Sequence, residues 1–220
     1  MNHKRHLGIY DASNLDVTLI GVGGIGSMAA LVLSKMGVRS LTLIDFDDVS
    51  DENISTQFYR LRDVGIPKVY ALGDILGGFS DALTFSLHSD VGCVWEEYLS
   101  AKIVISAVDS IEIRKEIWKI LQNVNWKWYI DARMGAEYFM MYTTYKGRED
   151  DYARSLSEQE DGQIPDDPCT SKATFYTAAM AAGHIGSAVR DISKGIVPPL
   201  LTIHNIPERC LVVVPRSGFV

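Results

Sequence analysis

A doubly wound α/β fold, with a mainly parallel sheet and antiparallel strands on its C-terminal side, is what the sequence predicts from three observations. Apolar, β-branched runs alternate with helical patterns, a bare glycine loop joins the first run to the first helix, and acidic residues recur where strands end. Val17 to Val22 carries no polar alternation, as expected of a parallel strand buried on both faces. Gly21, Gly23 and Gly26 then fit G-x-G-x-x-G, and Gly24 strips the loop further, so that backbone N–H groups can approach an anion at the start of the following helix. That helix is expected over Ser27 to Lys35 and ends at Gly37. Leu41 to Ile44 forms the second strand and delivers Asp45 at its end, 24 residues after Gly21, where a Rossmann-like unit places the carboxylate that holds a ribose.

Beyond this unit, Asp45, Asp47, Asp48, Asp51 and Glu52 crowd negative charge past a strand end. Asn53 and Gln57, four apart, can present two amides on one face of a short helical turn. Pro67 opens a helix that runs to about Leu76 and puts Lys68 at its N-terminus, where a cation opposes the helix dipole unless an anion lies nearby. Further strands are expected at Leu83 to His88 and at Ile103 to Val108, the latter stopping at Asp109, with a short helix over Val94 to Ser100 between them. Ser110 caps an amphipathic helix, Trp126 to Ile130 and Ala136 to Tyr145 pair antiparallel, and Arg133 lies between these two. The segment 149–168 holds eight acids against the single base Arg154, and reads as a mobile, solvated crossover loop. A helix rich in small residues over Ser171 to Ile192 and two strands, Val197 to His204 and Arg209 to Val214, complete the chain.

At 220 residues the chain suits a single domain, 1–220, and its net charge of −7 argues against general binding to nucleic acid or to membrane surfaces. Neither a spanning apolar run nor an apolar signal core is present, so the expected location is the cytoplasm. Cys93, Cys169 and Cys210 are too widely spaced for a disulfide framework or a zinc pair, and His88 and His184 read as structural. Cys169 reads either as a small buried residue or as a nucleophile, because a thiol just before a helix gains thiolate character from the helix dipole.

Two ligands compete for the strand-end groups. A nicotinamide dinucleotide, and hence an NAD-dependent oxidoreductase, accounts for the glycine loop and Asp45 but gives Lys68 and Asp109 no role. ATP with magnesium accounts for more: Lys68 neutralises phosphates, Asp109 holds the metal, and Asn53 and Gln57 bond phosphate oxygens.

These motifs, GVGGIGS from Gly21, LIDFDDV with Asp45 and Asp47, Asn53 with Gln57, VGIPK ending in Lys68, and SAVDS around Asp109, resemble the ThiF/MoeB-type adenylating family over nearly the whole chain. The family shares its fold with the activating enzymes for ubiquitin-like proteins. Thr56 replaces the arginine of the family's N-x-x-R-Q motif, as it does in a similar bacterial and phage branch, and leaves Lys68 and Arg5 as the cations. The resemblance implies an ATP-dependent adenylyltransferase acting, with magnesium, on the C-terminal carboxylate of a small carrier protein or peptide. It further implies a homodimer in which Arg5 reaches the partner's nucleotide, and it places Cys169 where some members carry a reactive cysteine. A nucleotide-binding partner subunit with impaired catalysis is the other reading that Thr56 allows.

Overall fold

The computed structural model describes residues 6, 8–79, 84–88, 98–157 and 173–216. Its frame is an eight-stranded sheet among the described residues, built from β1 (Asp16–Ile20), β2 (Ser40–Ile44), β3 (Thr84–His88), β4 (Ile103–Ser106), β5 (Trp128–Gly135), β6 (Tyr138–Tyr145), β7 (Leu201–Asn205) and β8 (Cys210–Val214). Their order is β3-β2-β1-β4-β5-β6-β7-β8, parallel from β3 to β5 and antiparallel from β5 to β8. The order steps outward from β1 in both directions, so the loops after β1 and β4 diverge and leave a crevice at the carboxyl edge.

Alternation along each strand divides the core in two. Val17, Leu19, Ile105 and Ile130 join the layer formed with α1 (Gly24–Met36), α2 (Lys68–Gly77) and α5 (Phe175–Ser193). Ile20, Val104 and Tyr129 face the other layer, with α3 (Ile111–Leu121) and α4 (Asp150–Ser157). Gly37 ends α1 in the left-handed region at φ 78°, its N–H returning to Leu33 and Ser34 carbonyls. Ser110 caps α3 by accepting from the Ile113 N–H at 3.3 Å.

The acid-rich stretch is not a solvated loop from its start, for α4 occupies Asp150–Ser157 with Tyr152, Ser155 and Leu156 buried. Tyr152 and Leu156, four apart, give this segment an apolar face, and Asp150 and Asp151 sit at the positive end of the helix dipole, where acids favour helix. The remainder of the expected loop, 158–168, lies outside the described residues, as do Arg5, Cys93 and Cys169. Most of the helix expected at 94–100 lies outside them as well. Arg133 lies within β5, and Ala136, expected in the next strand, forms the turn before it at φ 49°.

Small residues on α5 let it approach α1 closely: a Cβ on Gly186 would come 2.7 Å from Val32 Cγ1, whereas one on Gly183 meets nothing within 4 Å. Gly183→Ala should therefore stabilise the fold by about 0.5–1 kcal/mol through helix propensity alone. Gly186→Ala should be less stable than Gly183→Ala by about 1–3 kcal/mol because Val32 must give way. Urea unfolding of the two variants checks both the sign and the contrast.

Candidate active site

The glycine loop is closed by contacts that tolerate no side chain. A Cβ on Gly26 would lie 1.9 Å from the Gly21 carbonyl oxygen, and Gly21, at φ 81°, abuts the Ala107 carbonyl just past β4. Backbone bonds tie these ends together, Gly21 N to Ile44 O and Ala107 N to Ile20 O, each at 2.8 Å. The loops after β1, β2 and β4 thus begin side by side.

Asp45 is the joint between two of them. Its Oδ2 accepts from the Val22 N–H at 2.7 Å and its Oδ1 from the Asp47 N–H at 2.9 Å. Burial raises its pKa in spite of these bonds and of the nearby Lys68 charge. Lys68 has its anion: Nζ lies 2.7 Å from Asp47 Oδ2, and its N–H donates to the Asp47 carbonyl at 2.9 Å. The lysine side chain is 7% exposed and that of Asp47 52%, so the pair presents its acidic half to solvent.

Asn53 and Gln57 part company in their roles. Asn53 Oδ1 accepts from the Ser50 N–H at 3.0 Å, capping the short 3-10 turn Asp51–Ser55, while the Gln57 amide oxygen is buried without a partner. Gln57 borders the bare loop, since a Cβ on Gly23 would stand 3.8 Å from its Nε2. The Thr56 carbonyl lines the same loop, 3.8 Å from a Cβ on Gly24, and the nearest arginine in sequence, Arg60, is committed to Asp63 and Asp74. Tyr59 closes the wall by donating to the Val22 carbonyl at 2.6 Å; burial, with the charges of Asp45, Asp47 and Asp63, raises its pKa and keeps it protonated. Glycine N–H groups at a helix start, with the Gln57 Nε2 donor at the rim, suit a polyphosphate ligand. Asp109 follows β4 as an exposed carboxylate.

One buried group of charges escaped the sequence reading. Asp131, fully buried on β5, pairs with Arg114 Nη1 from α3, and Arg114 Nη2 donates to the Val108 carbonyl, which fixes the chain just before Asp109. Asp131 Oδ2 also accepts from Arg133 Nε at 2.7 Å and from the Tyr152 hydroxyl at 3.1 Å. A carboxylate inside an otherwise apolar strand, WYIDA, was the signal available in the sequence. Among the described residues, no group of three His, Cys, Asp or Glu side chains could hold a metal ion by itself. His184 packs against Phe139, with Nε2 3.3 Å from His204 Nδ1, and burial together with His204 lowers its pKa.

Two measurements probe these charges. The raised pKa means that Asp45 contributes most to stability below about pH 4, its unfolded value, and that this contribution fades as pH rises through the folded value. Urea unfolding should therefore find wild type losing ground to Asp45→Asn between about pH 4 and pH 7. Asp131→Ala, which leaves two guanidinium groups in the interior without their carboxylate, should cost about 3–5 kcal/mol in the same assay.

Comparison with known proteins agrees with this geometry. The ThiF family matches residues 5–206. Ubiquitin-like modifier-activating enzyme 5 of Dictyostelium discoideum is 36% identical over 76 residues, covering 34% of this chain and 20% of that protein. The tRNA threonylcarbamoyladenosine dehydratase of Escherichia coli K12 is 32% identical over 100 residues, covering 43% and 37%. The chain thus spans well under half the length of these relatives. Among solved structures, E. coli MccB with ATP superimposes with a TM-score of 0.73 at 17% identity, over 93% of this chain and 64% of that one. PaaA gives 0.74 at 19% identity, over 93% and 65%, and at such identities the likeness is one of fold. With the family matched across residues 5–206 and its loop, strand-end acids and sheet order in place, the chain belongs to the ThiF family.

Proposed function

We propose that the protein is an ATP-dependent adenylyltransferase that activates the C-terminal carboxylate of a small ubiquitin-like protein or peptide. The observation that carries this reading is a glycine loop that admits no side chain at Gly21 or Gly26, bordered by the donor Nε2 of Gln57 and opening onto the start of α1. The substrate carboxylate attacks the α-phosphorus of ATP, the bond to pyrophosphate breaks, and an acyl-adenylate results. The attacking group is already an anion, so alignment and charge neutralisation replace a general base. Loop N–H groups and Lys68 face the phosphates and Asp45 takes the ribose, while Asp109 would hold a magnesium ion, which would supply charge neutralisation at the leaving group. For Lys68 to reach a phosphate it must share itself with Asp47 or leave it, because the two form an ion pair at 2.7 Å. Arg5 acting across a homodimer, Cys169 as an acyl acceptor, a cytoplasmic location and one domain over 1–220 belong to the same proposal. Relatives named as ubiquitin-like modifier-activating enzymes, and a fold neighbour, E. coli MccB, solved together with MccA, support a polypeptide end as substrate. Asp109→Ala should abolish magnesium-dependent exchange between pyrophosphate and ATP measured with the cognate carboxylate; undiminished exchange in that variant removes Asp109 from the metal site.

A further inference from the structure

The buried cluster on β5 is out of balance. Asp131 supplies one negative charge, Arg114 and Arg133 supply two positive charges, and the Tyr152 hydroxyl is held protonated by burial, foremost, and by its neighbours. Arg114 uses its groups fully, on Asp131 and on the Val108 and Ala132 carbonyls. Arg133 does not. Its Nε donates to Asp131, its Nη2 stands 2.7 Å from the same oxygen without hydrogen-bond geometry, and its Nη1 is buried with no partner. The Tyr142 ring lies 5.2 Å from the guanidinium; burial lowers the Arg133 pKa, but Asp131 and the Tyr152 hydroxyl outweigh it and leave it raised. A buried donor without an acceptor is unfavourable, the more so on a charged group. An anion that reached Nη1 would supply the missing acceptor.

The place of Arg133 narrows the choice. It sits at the carboxyl edge of the sheet, two residues past Asp131, on the face of β5 that carries Tyr129 and Tyr152. The next residue, Met134, points to the other face, where its Cε comes within 3.2 Å of a Cβ placed on Gly24 of the phosphate loop. The phosphates of a nucleotide have the loop and Lys68; Arg133 lies across the strand from that loop, its side chain 13% exposed but both Nη atoms buried, so an anion pairs with them only by displacing what covers them. Building on the adenylation reading, we propose that Arg133 anchors the substrate's terminal carboxylate before it attacks, using the guanidinium edge that Asp131 leaves unpaired. A guanidinium matches a carboxylate through two parallel N–H bonds, which fixes direction as well as charge. Arg133 is then the residue that tells a free C-terminus from an amide.

The test uses N-acetylglycylglycine as a free-carboxylate probe, with its C-terminal amide and inorganic phosphate as controls. Arginine Nε–Hε resonances, melting temperature and, separately, ATP binding are recorded for the full chain and for Arg133→Gln and Arg133→Lys. In the wild type the carboxylate should shift one arginine resonance saturably, and that resonance should be missing from both variants. Affinity for the probe should fall by about tenfold or more in Arg133→Gln, with Arg133→Lys between, and the amide should not bind. ATP affinity should stay within about twofold, and the melting temperature of Arg133→Gln is read beside it to separate lost binding from lost folding. The proposal is overturned if the probe moves no arginine resonance, if the amide or phosphate moves it equally, or if Arg133→Gln melts lower while binding the probe as wild type does. Loss of ATP binding by the wild type, with carboxylate binding intact, would instead sink the adenylation reading.

Discussion

The hydrogen bonds that Asp45 accepts from the Val22 and Asp47 amides hold together the two loops from which the site is built. One carboxylate fixes the floor of the glycine turn and, through Asp47, sets the partner of Lys68. Burying that carboxylate is unfavourable, as its raised pKa records, and the local structure offsets the penalty with two backbone donors and a cation rather than with a single strong pair. A ribose hydroxyl bound there would meet an acceptor already oriented from both sides, so little ordering would remain to be done on binding.

Charge is organised differently on the two faces of the sheet. On the side of the glycine loop the cations are answered locally: Lys68 by Asp47, Arg60 by Asp63 and Asp74. On the opposite side Asp131 is shared, and the sharing leaves part of Arg133 unanswered. The Arg114 bond to the Val108 carbonyl links this second arrangement to the loop that carries Asp109, so the two faces meet at the backbone of one residue. This is a physical connection between the groups assigned to the carboxylate and to the metal, made through a side chain that need touch neither.

Local patterns were legible in the sequence and paired charges were not. The loop from Gly21 to Gly26, the αL stop at Gly37, the cap at Ser110 and the switch from parallel to antiparallel pairing after β5 all follow from composition and spacing, because each depends on a few neighbouring residues. The alternation of Asp131 and Arg133 with Ala132 and Met134 could be read, but not that Arg114 and Tyr152, 17 and 21 residues away, converge on Asp131. Counting acids hid α4, since Asp150 and Asp151 look like loop residues until their place at a helix start is considered. Asn53 and Gln57 form a matched pair in the sequence; only three dimensions separate the one that caps its own turn from the one whose amide borders the glycine loop.

The alternation on β5 gives its registration a chemical meaning. Arg133 and Met134 are neighbours in the chain that serve opposite faces, one beside Asp131 and the other against the phosphate loop. Sliding the strand by one residue would drive a guanidinium into the nucleotide wall and a thioether into the ion cluster. The antiparallel ladder to β6, continuous from Trp128 opposite Tyr145 to Gly135 opposite Tyr138, prevents that slip. The hairpin is therefore a ruler: its pairing decides which of two adjacent side chains each half of the crevice receives.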